Sequence, residues 1–165
     1  MALAPPWRRP TLGWLVWSVP SLAGAPPAVQ AVLRASHALP VDEGRGVFWL
    51  PPTAALDTLR LALGDVELCS LAAKDTAEGR ASLRRTARHV VDGVLATELP
   101  RLNALLAERR TPPAALIRSL DALEATRRAA EAWAAALEQP TLSLASVVDD
   151  AARRVDAALT ARLVA

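Results

Sequence analysis

Three stretches decide the fold: residues 75–110, DTAEGRASLRRTARHVVDGVLATELPRLNALLAERR; residues 111–138, TPPAALIRSLDALEATRRAAEAWAAALE; and residues 142–163, LSLASVVDDAARRVDAALTARL. They read as three helical segments. In the first, Asp75 followed by Glu78 has the form of a capping box with Asp in the cap role. Leu83, Ala87, Val90 and Val94, spaced 4-3-4, form an apolar seam. Gly93 and Pro100 are its weak points, and Pro100 predicts a kink or break near Ala96–Pro100. Leu102, Leu105 and Leu106 restart the apolar face.

Thr111-Pro112-Pro113 stops that segment and starts the next, with Thr as cap and Pro in the first turn. Leu116, Leu120, Leu123, Arg127, Ala130, Ala134 and Leu137 then follow a heptad spacing of the coiled-coil kind. Arg127 is the exception in that seam: its head either snorkels to water or meets a carboxylate. Gln139-Pro140 ends the segment, and the last one places Leu144, Val148, Ala151, Val155, Ala158 and Leu159 inward. Glu124–Arg128, Asp149–Arg153 and Asp150–Arg154 are spaced as i,i+4 ion pairs. Short breaks predict antiparallel neighbours. Ala-rich seams bury little area per position, so the Trp-bearing first half is expected to supply apolar surface, with Trp133 packed against it.

That first half predicts a small three-stranded sheet with strands at about 14–19, 47–50 and 66–71. Short helices follow Pro26-Pro27 (Ala28–Ala38, ended by Pro40) and Thr53 (Ala54–Leu63, ended by Gly64). The second strand, helix and third strand suggest a right-handed parallel unit. The fold expected is therefore α+β and predominantly helical. A head over residues 1–74 packs as one unit with a helical bundle over 75–165. Met1–Pro27 competes as a signal peptide, with Arg8-Arg9, the apolar Leu12–Leu22 and the small residues Ala23-Gly24-Ala25. Pro26-Pro27 after the cut, and Gly13 and Pro20 within the apolar run, weigh against it.

Composition excludes several classes. With 52% hydrophobic residues and mean hydropathy of +0.21 the chain is too apolar for disorder. A net charge of +2 does not by itself imply nucleic acid. No apolar run reaches the roughly 18 residues that span a bilayer. Cys69 is the one cysteine, so no internal disulfide forms. With His37 and His89 the only histidines, Cys/His zinc sites lack ligands.

The usual phosphate-loop, dinucleotide, zinc-protease and serine-hydrolase motifs are absent, and no cofactor is implied. Cys69 reads as a buried inert thiol and Lys74 as a turn residue beside Asp75. A His89/Asp92 acid–base pair and an Asp42-Glu43 cation site compete with ordinary surface roles. The feature that asks for explanation is Arg80, Arg84, Arg85 and Arg88, at the start of a helix, where the dipole disfavours cations. They read as a solvated or internally paired face, against a docking stripe for an acidic partner or phosphate backbone.

The function expected is a non-catalytic, cytoplasmic interaction or accessory protein. It would act through its long amphipathic helices on a protein partner or on itself. The seam residues Leu83, Val90, Val94, Leu116, Leu120, Leu123, Leu137, Val148 and Val155 would carry the packing. Nucleic-acid association through Arg80–Arg88, and export if residues 1–25 are a signal, are the alternatives.

Overall fold

Thr11–Ser18 (β1) is a central strand of a four-stranded antiparallel sheet. The structure is a computed structural model, and it describes residues 11–18, 27–42, 44–53, 56–64, 68–108 and 110–164. After β1 come α1 (Pro27–Ala35), β2 (Leu39–Asp42), β3 (Val47–Leu50), α2 (Leu56–Leu63) and β4 (Leu68–Lys74). The long helices α3 (Ala77–Ala107), α4 (Pro113–Leu137) and α5 (Ala145–Val164) follow, with a 3-10 turn at Pro140–Leu142. The chain is thus α+β and predominantly helical, as the residue pattern predicts. The sheet has a fourth strand, β2, that the pattern did not disclose. Pro40 looked like a helix end, but it lies inside β2, which is an edge strand where a missing N–H is tolerated.

The sheet order is β2-β3-β1-β4, and every bonded pair is antiparallel. This corrects the expected parallel unit. β3 and β4 do run in the same direction, since each opposes β1, but β1 lies between them. β1 and β2 are related in the same way across β3. Two interleaved strand–helix–strand units of this kind make the split, ferredoxin-like arrangement.

Alternation sorts the side chains onto two faces. Val16 and Leu50 meet Val29 and Leu33 of α1 and Leu59 of α2, with Trp14 and Phe48 beside them. On the other face Trp49, Leu39, Leu15 and Ala73 meet the long helices. Leu12 would share the face of Trp14 and Val16 in a regular strand. A register shift between Thr11 and Gly13 against β4 moves it to the bundle face, where it is buried. Gly13 makes this possible at φ +126. A Cβ there would drive into the Leu50 carbonyl oxygen and the Trp49 indole, whose nitrogen donates to the Leu12 carbonyl at 3.1 Å.

α1 begins on Pro27 and ends in a left-handed turn at His37, φ 54. His37 N–H bonds the Arg34 carbonyl and Ala38 N–H the Leu33 carbonyl, the paired bonds of a Schellman ending. Gly64, φ +57, ends α2 as predicted. The cap proposed for Thr53 falls beside residues 54–55, which lie outside the described residues, as do Val66 of the expected third strand and Val19 of the expected first.

α4 packs antiparallel to both α3 and α5, and α3 also lies against β2. α3 runs through Pro100 without a break, so of the kink or break expected near Ala96–Pro100 the break does not occur. Pro100 is exposed, and so is Ala96, whose carbonyl loses its helical partner and can turn to water. The buried row of α3 also differs from the expected seam. Leu83, Ala87 and Val91 are buried, and Leu95 and Leu99 pack on the core. A spacing of four precesses by about 40° per step around the helix. Val90 is half-buried and packs on the core like Leu95 and Leu99, whereas Val94 is half-buried beside a surface groove. On α4 Leu116, Leu123, Ala130 and Leu137 are buried as the heptad requires. The companion row is Ser119 and Trp133, with Leu120 and Ala134 half-buried at its margin. α4 packs against both α3 and α5 and reaches the head through Trp133, so its buried arc is wider than a two-helix seam. Arg127, off that arc, meets carboxylates: Glu124 at 2.9 Å and Glu131 at 3.2 Å, not snorkelling free. Glu124 therefore serves Arg127 in place of Arg128. Val148, Ala151 and Val155 of α5 are buried.

Candidate functional site

The first turns of α3 hold the arginines. Thr76, not Asp75, is the N-cap, its Oγ1 accepting from Gly79 N–H at 3.0 Å. This frees Asp75 to accept two bonds from Arg80, at 2.6 and 2.7 Å, while Arg80 also lies 3.4 Å from Glu138. The Arg80 guanidinium holds the Asp75 carboxyl below the usual carboxylate range, chiefly through these hydrogen bonds. One turn on, Arg84 donates from Nε and Nη2 to the Leu137 carbonyl, at 2.9 and 2.6 Å. A further turn on, Arg88 Nη2 donates to Thr141 Oγ1 at 2.6 Å.

These contacts answer the electrostatic question. The start of α3 disfavours cations, but antiparallel α4 brings its C-terminal end alongside, where partial negative charge accumulates. Leu137 is the last residue of α4, and Glu138 caps it in the left-handed region, φ 53 and ψ 48. Three of the four arginines thus tie α3 to the end of α4 and the turn that follows it.

Arg85 differs. It sits about 100° around the helix from Arg84, is exposed, and has no partner among the described residues. It stands where two open depressions adjoin. One, of about 810 Å³, runs along α3 over Arg85, His89, Gly93 and Thr97 and the neighbouring row Thr86, Val90, Val94 and Glu98, with Pro40 and Val41 of β2 on its other side. The second, of about 560 Å³, shares Arg85 and His89 and continues past Arg84, Arg88 and Asp92 to Gln139.

The groove has charge at both ends and apolar surface between. Gly93 opens its floor, since a Cβ there would meet nothing within 4 Å. Val41 of β2 is 41% exposed. At the far end Glu98 keeps only 19% of its side chain exposed; Arg101 is 3.7 Å away, beyond hydrogen-bond reach, and the buried Oε2 receives no donor among the described residues. Glu98, Gly93, Pro40 and Val41 are the site residues that sequence reasoning missed. The signal was the pair of i,i+4 rows from Arg85 and Thr86, obscured because Ala96–Pro100 read as a helix break.

The other candidates stand apart. His89 and Asp92 both border the second depression, but no hydrogen bond joins them. His37 is half-buried at the end of α1, its Nδ1 without a partner and its carbonyl accepting from Trp133 Nε1 at 2.8 Å. Cys69 is half-exposed on β4 opposite Trp17, correcting the buried thiol expected. Lys74 ends β4 in water. Asp42 accepts from the Arg45 N–H at 3.1 Å within its turn, and Glu43 lies outside the described residues. Among the described residues no three His, Cys, Asp or Glu side chains gather as metal ligands, and no helix is long and apolar enough to cross a membrane.

The fold and site define an α+β protein with a ferredoxin-like sheet, a three-helix bundle on one of its faces, and an open groove where the two meet. No family model matches the chain, and neither does any curated protein or solved structure. The arrangement of strands carries no function on its own.

Proposed function

We propose that this chain is a non-catalytic interaction module and that its α3 groove receives an extended segment of a partner protein. The observation that carries the reading is Arg85, exposed and without a partner among the described residues while Arg80, Arg84 and Arg88 are engaged within the fold. The long helices spend their seams on one another and on the sheet, so recognition is assigned to the surface that remains beside β2. Arg85 and Glu98 are thirteen positions apart on one helix, about 20 Å along its axis. An extended peptide covers that span in about six residues. The fitting segment carries an acid to meet Arg85, apolar side chains over Val90 and Val94, and a basic donor for Glu98. Burial of the apolar stretch supplies affinity, and the two charged ends set direction and register.

A phosphate backbone fits less well, because phosphate binding draws on several free cations and three of these four are committed. Export by removal of residues 1–25 would take away β1, a central strand. The reading places the protein in the cytoplasm, where a half-exposed free thiol such as Cys69 stays reduced.

The test is affinity capture from the native host at moderate salt, using the tagged chain, Arg85→Glu and Glu98→Lys. The expected result is a stoichiometric protein held by the parent chain and lost with either variant. Retention of the same protein by both variants, or recovery of nucleic acid that washes off as salt rises, would overturn the proposal.

A further inference from the structure

The two edges of the sheet are guarded very differently. β2 is four residues long, contains Pro40, shifts register between Pro40 and Asp42, ends on a charge and lies against α3. Each of these features discourages pairing with another strand. β4, at the opposite edge, is seven residues long, has no proline, and carries its one charge at the terminal Lys74. Its extensive contacts among the described residues are with β1 alone, so its outer N–H and C=O groups pair with no described strand, and Arg60 of α2 reaches it by donating to Ser70 Oγ at 3.0 Å. At its midpoint Leu71 is 58% exposed on the face that holds Leu15 and Ala73.

We infer that β4 pairs antiparallel with β4 of a second copy of this chain, joining two four-stranded sheets into one across a two-fold axis at Leu71. The strand is complementary to itself in that register. Leu71 meets the second copy's Leu71, Ser70 meets Ala72, Cys69 meets Ala73, and Leu68 meets Lys74. The strand's own charge, Lys74, therefore lies opposite the apolar Leu68 and not opposite its own copy. The pairing satisfies the open backbone groups and covers the exposed Leu71 together. It uses the edge remote from the α3 groove and stands independently of the function proposed for that groove.

The experiment uses the full chain. Sedimentation equilibrium of the parent protein is expected to give the mass of two chains, and Leu71→Lys the mass of one. Leu71 is exposed, so the variant should keep its helical circular dichroism and melting profile. In a Cys69→Ser background, Leu71→Cys should cross-link to a disulfide dimer under mild oxidation. Leu61→Cys on α2, at a side chain 85% exposed and off the proposed contact, should remain largely single-chain. A parent protein of one-chain mass across the accessible concentration range would overturn the pairing. So would cross-linking at position 61 as efficient as at 71, or a two-chain mass that survives Leu71→Lys.

Discussion

Arg84 on α3 and Leu137 at the end of α4 are joined by two hydrogen bonds onto one carbonyl oxygen, fifty-three positions apart in the chain. The bond pair turns an arginine that looked like part of a docking stripe into a clamp between helices. Arg85, its neighbour, makes no such bond. Arg84→Ala should therefore lower stability by about 1–3 kcal/mol, as for a hydrogen bond from a charged donor. Arg85→Ala should stay within about 0.5 kcal/mol of the parent, as for a surface site. Urea unfolding followed by circular dichroism separates the two. Equal losses would mean that the clamp contributes nothing.

Two glycines should respond in opposite directions to the same substitution. Gly13→Ala forces a side chain into the Leu50 carbonyl and the Trp49 ring at φ +126. The loss should be roughly 3 kcal/mol or more, from overpacking and backbone strain together. Gly93→Ala meets open space inside a helix and should gain about 0.5–1 kcal/mol. Thermal melts of both variants beside the parent give the signs directly.

Trp133 ties the bundle to the head through its indole N–H on the His37 carbonyl. Trp133→Phe keeps most of the apolar ring and removes the donor, leaving that carbonyl without its indole partner. A loss of about 1–2 kcal/mol in urea unfolding is expected, from the missing bond and the smaller ring. A stability equal to the parent's would mean that the bond is not made.

The Asp75–Arg80 pair gives a pH dependence with a definite sign. The folded-state pKa of Asp75 is lowered by Arg80, so below its ordinary range the unfolded chain takes up a proton before the folded one does. The pair's contribution is complete above the ordinary carboxylate pKa and disappears as pH falls toward the folded-state value. Asp75→Asn should flatten this part of the stability profile below about pH 5 and leave its shape above neutrality unchanged. Stability measured from pH 3 to 8 for both proteins checks it. An unchanged acid limb would place the dependence on other carboxylates.

How much was legible follows from the range of each signal. The three long helices showed through local periodicity and Pro-containing breaks, and the buried positions Leu83, Leu116, Leu123, Leu137, Val148 and Val155 lie within the seams drawn from spacing. β2 escaped because four residues around Pro40 carry too little local pattern to outweigh a proline. Asp75 looked like a cap because the capping pattern is satisfied by spacing alone, whereas Thr76 holds the geometry. Pro100 looked like a break because its exposure, which makes it tolerable, depends on which face α3 turns to water.

The sequence alone determined the helical segments, the mixed α+β class and the lack of the familiar catalytic motifs, since these depend on residues within a few positions of one another. The antiparallel strand order, the transfer of Leu12 to the bundle face and the fate of the arginines were decided by tertiary structure. Arg80, Arg84 and Arg88 share one helical face in the sequence. Arg80 pairs mainly with Asp75, five positions before it, but Arg84 and Arg88 are engaged because the antiparallel fold brings the end of α4 and the turn after it close, leaving Arg85 without a partner among the described residues. That is long-range electrostatics and packing, which spacing along one helix cannot encode.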